Sequence, residues 1–209
     1  DARLTLRLLQ EAREAGADVQ VAQGDVSNDA ACRAIADAAR TADLLICAVT
    51  ASRTLEVARE AAAVLRPGAL YLDLNSASPG TKPQAAACIN AAGGHYVEAG
   101  VMTSVPPYGI RVPMLLGGEH AAALAERLQA WGMDAKPVSD QLGVASAIKM
   151  CRSVMIKGLE ALVIESYATA RAYGVEDHVL PTLRETFPSI DWEQTGAYFF
   201  SRVVQHGQR

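Results

Sequence analysis

Asp43-Leu44-Leu45-Ile46-Cys47-Ala48-Val49 is an unbroken apolar run opened by one acid, and Thr50-Ala51-Ser52 and a helical stretch from Leu55 to Leu65 follow it directly. A run of this length without alternation is what a strand buried on both faces of a parallel sheet needs. The same strand and helix step recurs on either side. Upstream, leucines and alanines at helical spacing from Leu4 to Ala15 end at Gly16, a short β-like run follows at Val19 to Ala22, and Ser27 can cap a helix through Ala39. Downstream come a strand at Leu70 to Asp73, a helix from Pro79 to Ala92, strands at Tyr96 to Glu98 and Met114 to Leu116, a helix from Glu119 to Trp131 and a strand at Ala135 to Val138. Strands alternating with helices of about ten residues predict an α/β fold, a parallel sheet with helices on both faces.

After Asp140 the alternation stops. Gly143 to Tyr173 keeps helical periodicity with only Gly158 inside it, and Val175 to Phe187 and Trp192 to His206 read as two more helices separated by Pro188. The expected organisation is therefore a sheet domain over residues 1–140 and an all-α C-terminal domain over residues 141–209, entered by a long helix.

Composition narrows the function classes. Nineteen basic and twenty-three acidic residues are mixed along the 209-residue chain for a net charge of -4, which offers no basic patch for a nucleic acid. No apolar run is long enough to span a bilayer, and no leader of basic then apolar residues precedes the first helix. Cys32, Cys47, Cys88 and Cys151 lack the paired spacing of a metal site and fall in predicted helices or strands. They read as buried thiols of a cytoplasmic protein, with no metal expected.

Ligands of such sheets bind beyond the carboxyl ends of the strands. Val49-Thr50-Ala51-Ser52 leads into a helix whose free amides and short hydroxyls suit a phosphate or ribose, although Ser52 as a simple cap explains it as well. Asp73-Leu74-Asn75-Ser76-Ala77-Ser78-Pro79 places short polar groups after the next strand and also reads as a turn capped by Ser78. Glu98 to Gly109 is a dozen residues with two prolines and two glycines, including Met102 and Thr103, and either serves function or stiffens a crossover.

The long helix carries the most informative cluster. At 100° per residue, Glu160, Ser153, Ser146 and Lys157 fall within about 80° of Lys149 on one side, with Arg152 about 60° to the other. A solvated face explains such a stripe too. Yet the chain has only four lysines, Lys82, Lys136, Lys149 and Lys157, and two of them lie here. Lysine, unlike arginine, releases a proton when its site is desolvated, as a general acid or base must.

Val-Thr after one strand, Asp-Leu-Asn-Ser-x-x-Pro after the next, Glu-Ala-Gly-Val-Met, and then Lys149-Met150-Cys151-Arg152-Ser153 in the long helix together resemble the β-hydroxyacid dehydrogenase and 6-phosphogluconate dehydrogenase family. The resemblance is strongest to its branch with a C-terminal domain of unknown function, through Ile148 to Glu160 and Val105 to Gly109. It implies a Rossmann-type doubly wound sheet and an oxidoreductase using NAD or NADP on a small hydroxy acid or related carbonyl compound. By motif position, Lys149 is the implied general acid/base; Val49, Thr50, Asn75 and Ser76 border the cofactor, with Asp1 at its ribose. Met102, Thr103, Arg152, Ser153 and Lys157 surround the implied substrate. Two positions depart from the family: Met102 stands where a substrate-binding serine is usual, and Arg152 and Ser153 replace an asparagine pair.

Against the family pattern the Rossmann domain reads as truncated, its first strand, Gly-x-Gly-x-x-Gly turn and following helix having no counterpart, which implies weak cofactor binding. The competing reading is a non-catalytic binding or dimerisation module on the same fold. A homodimer is expected through Val179, Leu180, Leu183, Phe187, Tyr198, Phe199 and Val203, more apolar surface than about seventy helical residues cover alone.

Overall fold

A computed structural model of the chain describes Arg13, Glu14, Gly16 and residues 29–206. Five strands form one sheet in chain order: β1 (Leu44–Cys47), β2 (Leu70–Asp73), β3 (His95–Val101), β4 (Met114–Gly117) and β5 (Ala135–Ser139). Helix α1 (Asp29–Thr41) precedes β1, α2 (Thr54–Ala62) joins β1 to β2, and α3 (Thr81–Ala91) joins β2 to β3. A helix of this size is the usual crossover between parallel neighbours, and both pairs are parallel. Apart from Arg13 and Glu14, which are helical as predicted, the predicted helix and strand upstream of Ser27, and Asp1, lie outside the described residues.

The sheet departs from the all-parallel expectation at one seam. β4 runs antiparallel to β3, and β5, reached through α4 (Ala121–Ala130), is parallel to β4. Residues 102–113 hold nothing larger than a 3-10 turn at Gly109–Arg111, so no helix carries the chain across and it turns back beside β3. The prolines of this segment stiffen a return, not a crossover.

Alternation along the central strands gives each face its own core. Leu72, Val97, Ala99, Met114 and Leu116 pack on one side with Leu124 and Leu128 of α4. On the other, Tyr71 and Tyr96 stack with centroids 5.8 Å apart, among Ala58 of α2 and Ala85, Ala86 and Ile89 of α3. β1 is less buried than its sequence suggests. It pairs only with β2 among the described residues, and Ile46 stays 49% exposed. Of the three cysteines whose side chains are described, Cys47 is buried as expected, Cys88 is half-buried and Cys151 exposed, all as free thiols.

Three helices follow: α5 (Val144–Tyr173), α6 (Glu176–Thr186) and α7 (Trp192–His206). The chain divides into two compact units, one closing at Met150 and the other opening at Cys151, so the first turns of α5 belong with the sheet. The second unit has its own small core of Val163, Trp192 and Phe199, bordered by Leu159, Tyr167, Leu180 and Leu183. Gly196 lets α7 approach α5, since a Cβ there would lie 2.3 Å from the Tyr167 ring. Gly196→Ala is therefore expected to cost about 1–3 kcal/mol through overpacking, read as a lower denaturant midpoint. Among the described residues no helix is long and apolar enough to cross a membrane, and no cluster of three metal-ligating side chains occurs.

Candidate active site

The carboxyl end of β2 is built around two fully buried ions, Asp73 and Lys82. A buried charge is tolerated only when paired and hydrogen-bonded, and here both conditions are met. Asp73 Oδ2 accepts from Lys82 Nζ at 3.0 Å and from the Tyr96 hydroxyl at 2.5 Å, while Oδ1 accepts the Asn75 N–H at 2.8 Å. Lys82 Nζ also donates to the carbonyls of Asn75 at 2.8 Å and Asp73 at 3.3 Å. Burial first, and Asp73 second, push the Tyr96 phenol far above its ordinary pKa, so it remains a donor to the carboxylate.

This network fixes the turn that follows. Asn75 Oδ1 accepts the Val49 N–H at 2.6 Å, and its amide nitrogen reaches Cys47 Sγ at 3.4 Å, tying the end of β1 to that of β2. Ser76, the next residue, is exposed.

The start of α5 is gripped by β3. Glu98, fully buried, accepts the Ala145 N–H at 3.0 Å through Oε1 and the Ser146 hydroxyl at 2.6 Å through Oε2. A carboxylate here satisfies amides that the first helical turn leaves open and lies favourably at the positive end of the helix dipole. The strand neighbours must be small for this contact. A Cβ on Gly117 would sit 2.7 Å from Glu98 Oε1, and one on Gly100 would sit 3.1 Å from the Ala145 carbonyl and 3.5 Å from Lys149 Cβ.

One turn beyond Ser146, Lys149 Nζ donates to Ser76 Oγ at 2.6 Å. The ammonium is pulled below the ordinary lysine pKa, chiefly by desolvation and then by the positive charge of Lys82. The site therefore joins a lysine inclined to release its proton to a hydroxyl on a rigid turn, beyond the carboxyl ends of β1, β2 and β3.

Of the residues singled out in the sequence, the structure brings Asn75 to Val49 and Ser76 to Lys149. Val49 is 38% exposed, and the Thr50 and Ser52 hydroxyls lie 3.3 Å apart. Ser52 falls inside a 3-10 turn, Ala51–Arg53, so it is not the cap of α2. The Met102 N–H donates to the Pro113 carbonyl at 2.9 Å at the mouth of the return loop, with Thr103 exposed beside it. Arg152, Ser153 and Lys157 are exposed on the part of α5 that belongs to the second unit, where Lys157 reaches Glu160 at 3.5 Å.

Sequence reasoning passed over Asp73, Lys82, Tyr96 and Glu98. Two signals were present: Glu98 is the single charge within the apolar strand Tyr-Val-Glu-Ala-Gly-Val, and Lys82 is a cation in the first turn of a helix, where the dipole disfavours it.

A mostly parallel sheet covered on both faces, with its polar groups gathered at the strand ends and a helical unit after it, is the Rossmann-type architecture. No family model matches the chain. A conserved hypothetical protein from Sinorhizobium meliloti of solved structure is 37% identical with a TM-score of 0.79, over 99% of this chain and 74% of that one. The conserved protein MTH1747, of unknown function and described as structurally similar to 3-hydroxyacid dehydrogenases, is 27% identical with a TM-score of 0.77, over 97% and 79% of the two chains. The chain belongs to the same family as the Sinorhizobium meliloti protein, and its fold is that of the 3-hydroxyacid dehydrogenases. An imine reductase from Myxococcus stipitatus, solved with NAD+, shares the fold at 21% identity and a TM-score of 0.69, over 97% and 74% of the chains. A curated relative, an uncharacterised 28.5 kDa protein from the 5' region of 7S RNA in Methanothermus fervidus, is 28% identical over 150 residues, 72% of this chain. The match spans 57% of that relative's length.

Proposed function

We propose that the protein is an NAD- or NADP-dependent oxidoreductase that acts on a small hydroxy acid or a related carbonyl compound, with Lys149 as general acid/base. The observation that carries this reading is the 2.6 Å contact between Lys149 Nζ and Ser76 Oγ, made by a lysine whose pKa is lowered by desolvation. The 3-hydroxyacid dehydrogenase and imine reductase folds among its structural neighbours support the same reaction class.

The strand-end surface suits a dinucleotide chemically. Val49 offers an exposed apolar side chain, and the hydroxyls of Thr50, Ser52 and Ser76 offer both donors and acceptors. When bound, the nicotinamide accepts or supplies the hydride. In the oxidation direction neutral Lys149 takes the proton of the substrate hydroxyl; in reduction its ammonium returns that proton to the oxygen. Ser76 orients the amine, and Asn75 keeps Val49 and Ser76 in one frame. Met102 and Thr103 at the loop mouth are assigned to the substrate.

The direct test is a screen of 2- and 3-hydroxy acids and their oxo counterparts with NAD+, NADP+ and the reduced cofactors, following nicotinamide absorbance. Oxidation should rise with pH through a group titrating below the lysine value of 10.5, and reduction should fall through the same group. An oxidation profile flat across that range would remove Lys149 from the chemistry.

A homodimer through the C-terminal helices belongs to the same proposal. Phe187, Tyr198 and Val203 are 50%, 53% and 41% exposed, while Phe199 is used in the unit's own core and Leu180 and Leu183 pack against it. Sedimentation at micromolar concentration should give twice the monomer mass.

A further inference from the structure

The proton transfer described above does not use Lys82, yet this is the largest fully buried side chain in the described protein. A buried ion pair contributes little net stability compared with apolar residues of the same volume, so stability alone is a poor reason for one at this position. Helix propensity is no better a reason, since Lys82 lies in the first turn of α3, where the dipole opposes a cation.

The contacts point elsewhere. All the acceptors of Lys82 lie within three residues of one turn: the Asp73 carboxylate, the Asp73 carbonyl and the Asn75 carbonyl. The residues presented by that turn are Asn75, which binds the Val49 N–H, and Ser76, which binds Lys149. We propose that Lys82 is a positioning residue for the Lys149 site: anchored by Asp73, its ammonium holds the turn at residues 73–76 in shape and places a fixed positive charge behind the reacting amine. The inference rests on the assignment of Lys149 as acid/base. The lowering of the Lys149 pKa agrees with it, because desolvation is the first cause and the charge of Lys82 the second. The buried acids of the adjoining strands, Asp73 at the end of β2 and Glu98 of β3, are both engaged by donors, and on its own helix Arg152 and Lys157 follow Lys149.

The experiment is an NMR titration of the full chain with lysines labelled at Cε and Nζ. Only four lysines are present, so Lys149 is assigned by its loss in Lys149→Arg. In Lys82→Met the Lys149 resonance is expected to titrate at higher pH than in wild type, because a repelling charge is gone and the loosened turn admits water. Lys82→Met leaves Asp73 buried with only the Asn75 N–H and Tyr96 hydroxyl as donors, so a second variant, Lys82→Met with Asp73→Asn, removes both ions together. That double variant should unfold at a higher temperature than Lys82→Met and retain the upward shift. A Lys149 titration unchanged in both variants overturns the proposal, as does a shift in the single variant that vanishes in the double. Turnover retained in Lys149→Arg, with the Lys82-dependent shift intact, would remove the acid/base assignment and leave the positioning role standing.

Discussion

Lys149→Arg is expected to lower turnover by about 10²–10⁴ while changing nucleotide affinity only modestly. Arginine keeps the charge and roughly the reach of lysine but does not release a proton near neutral pH, so the substitution separates proton transfer from charge stabilisation. Lysine suits the first task here because its amine is desolvated and sits near the charge of Lys82. The guanidinium can still donate to Ser76, which keeps the strand-end turn and its surroundings occupied. Lys157→Arg, two turns along the same helix, serves as the control for positive charge alone and should cost far less. Steady-state kinetics on both variants decide the matter; turnover near wild type in Lys149→Arg would return this face of α5 to a solvated helix surface.

The largest stability effect is expected from Asp73→Ala. It leaves Lys82 fully buried without its counter-ion, and breaking a buried pair from one side costs about 3–5 kcal/mol. For a chain of this size that corresponds to a melting temperature lower by about 6–20 °C in calorimetry or circular dichroism. Asp73→Ala combined with Lys82→Met should recover most of the loss, since neither ion of the pair is then left buried without its partner. A single variant that melts with the wild type would mean that Lys82 finds solvent or another partner.

The fold was legible in the chain wherever burial set a period. Leu70–Asp73 and Trp192–His206 have the limits that their patterns predict, and the long helix differs by one residue. The direction of β4 was not legible, because strand polarity depends on whether the connection holds a helix, and residues 102–113 carry no periodic signal either way. The site divides in the same manner. Lys149, Asn75 and Ser76 were visible because scarce or short polar residues stand at strand ends and along one helical stripe. Asp73, Lys82 and Glu98 were not, because a charge that folding will bury looks in sequence like any surface charge until its partner, 9 residues away for Asp73 and 48 for the Glu98–Ser146 bond, is known.

The reversed seam between β3 and β4 works as a switchback in the path of the chain. Because β4 and β5 descend against β3, β5 ends at Ser139 beside Gly117, which itself faces Glu98. Helix α5 then climbs in the direction of β3, passing Glu98 with Ala145 and Gly100 with Lys149. Had every strand run the same way, the last would have finished at the ligand end and its helix would have led back down, away from Ser76. One short loop without a helix thus determines that the lysine arrives beside Ser76, beyond the carboxyl end of β2. Residues 103–108, the tip of that loop, take no part in the strand pairing or in the Glu98 contacts of α5, so a change of length there leaves the route of the lysine undisturbed.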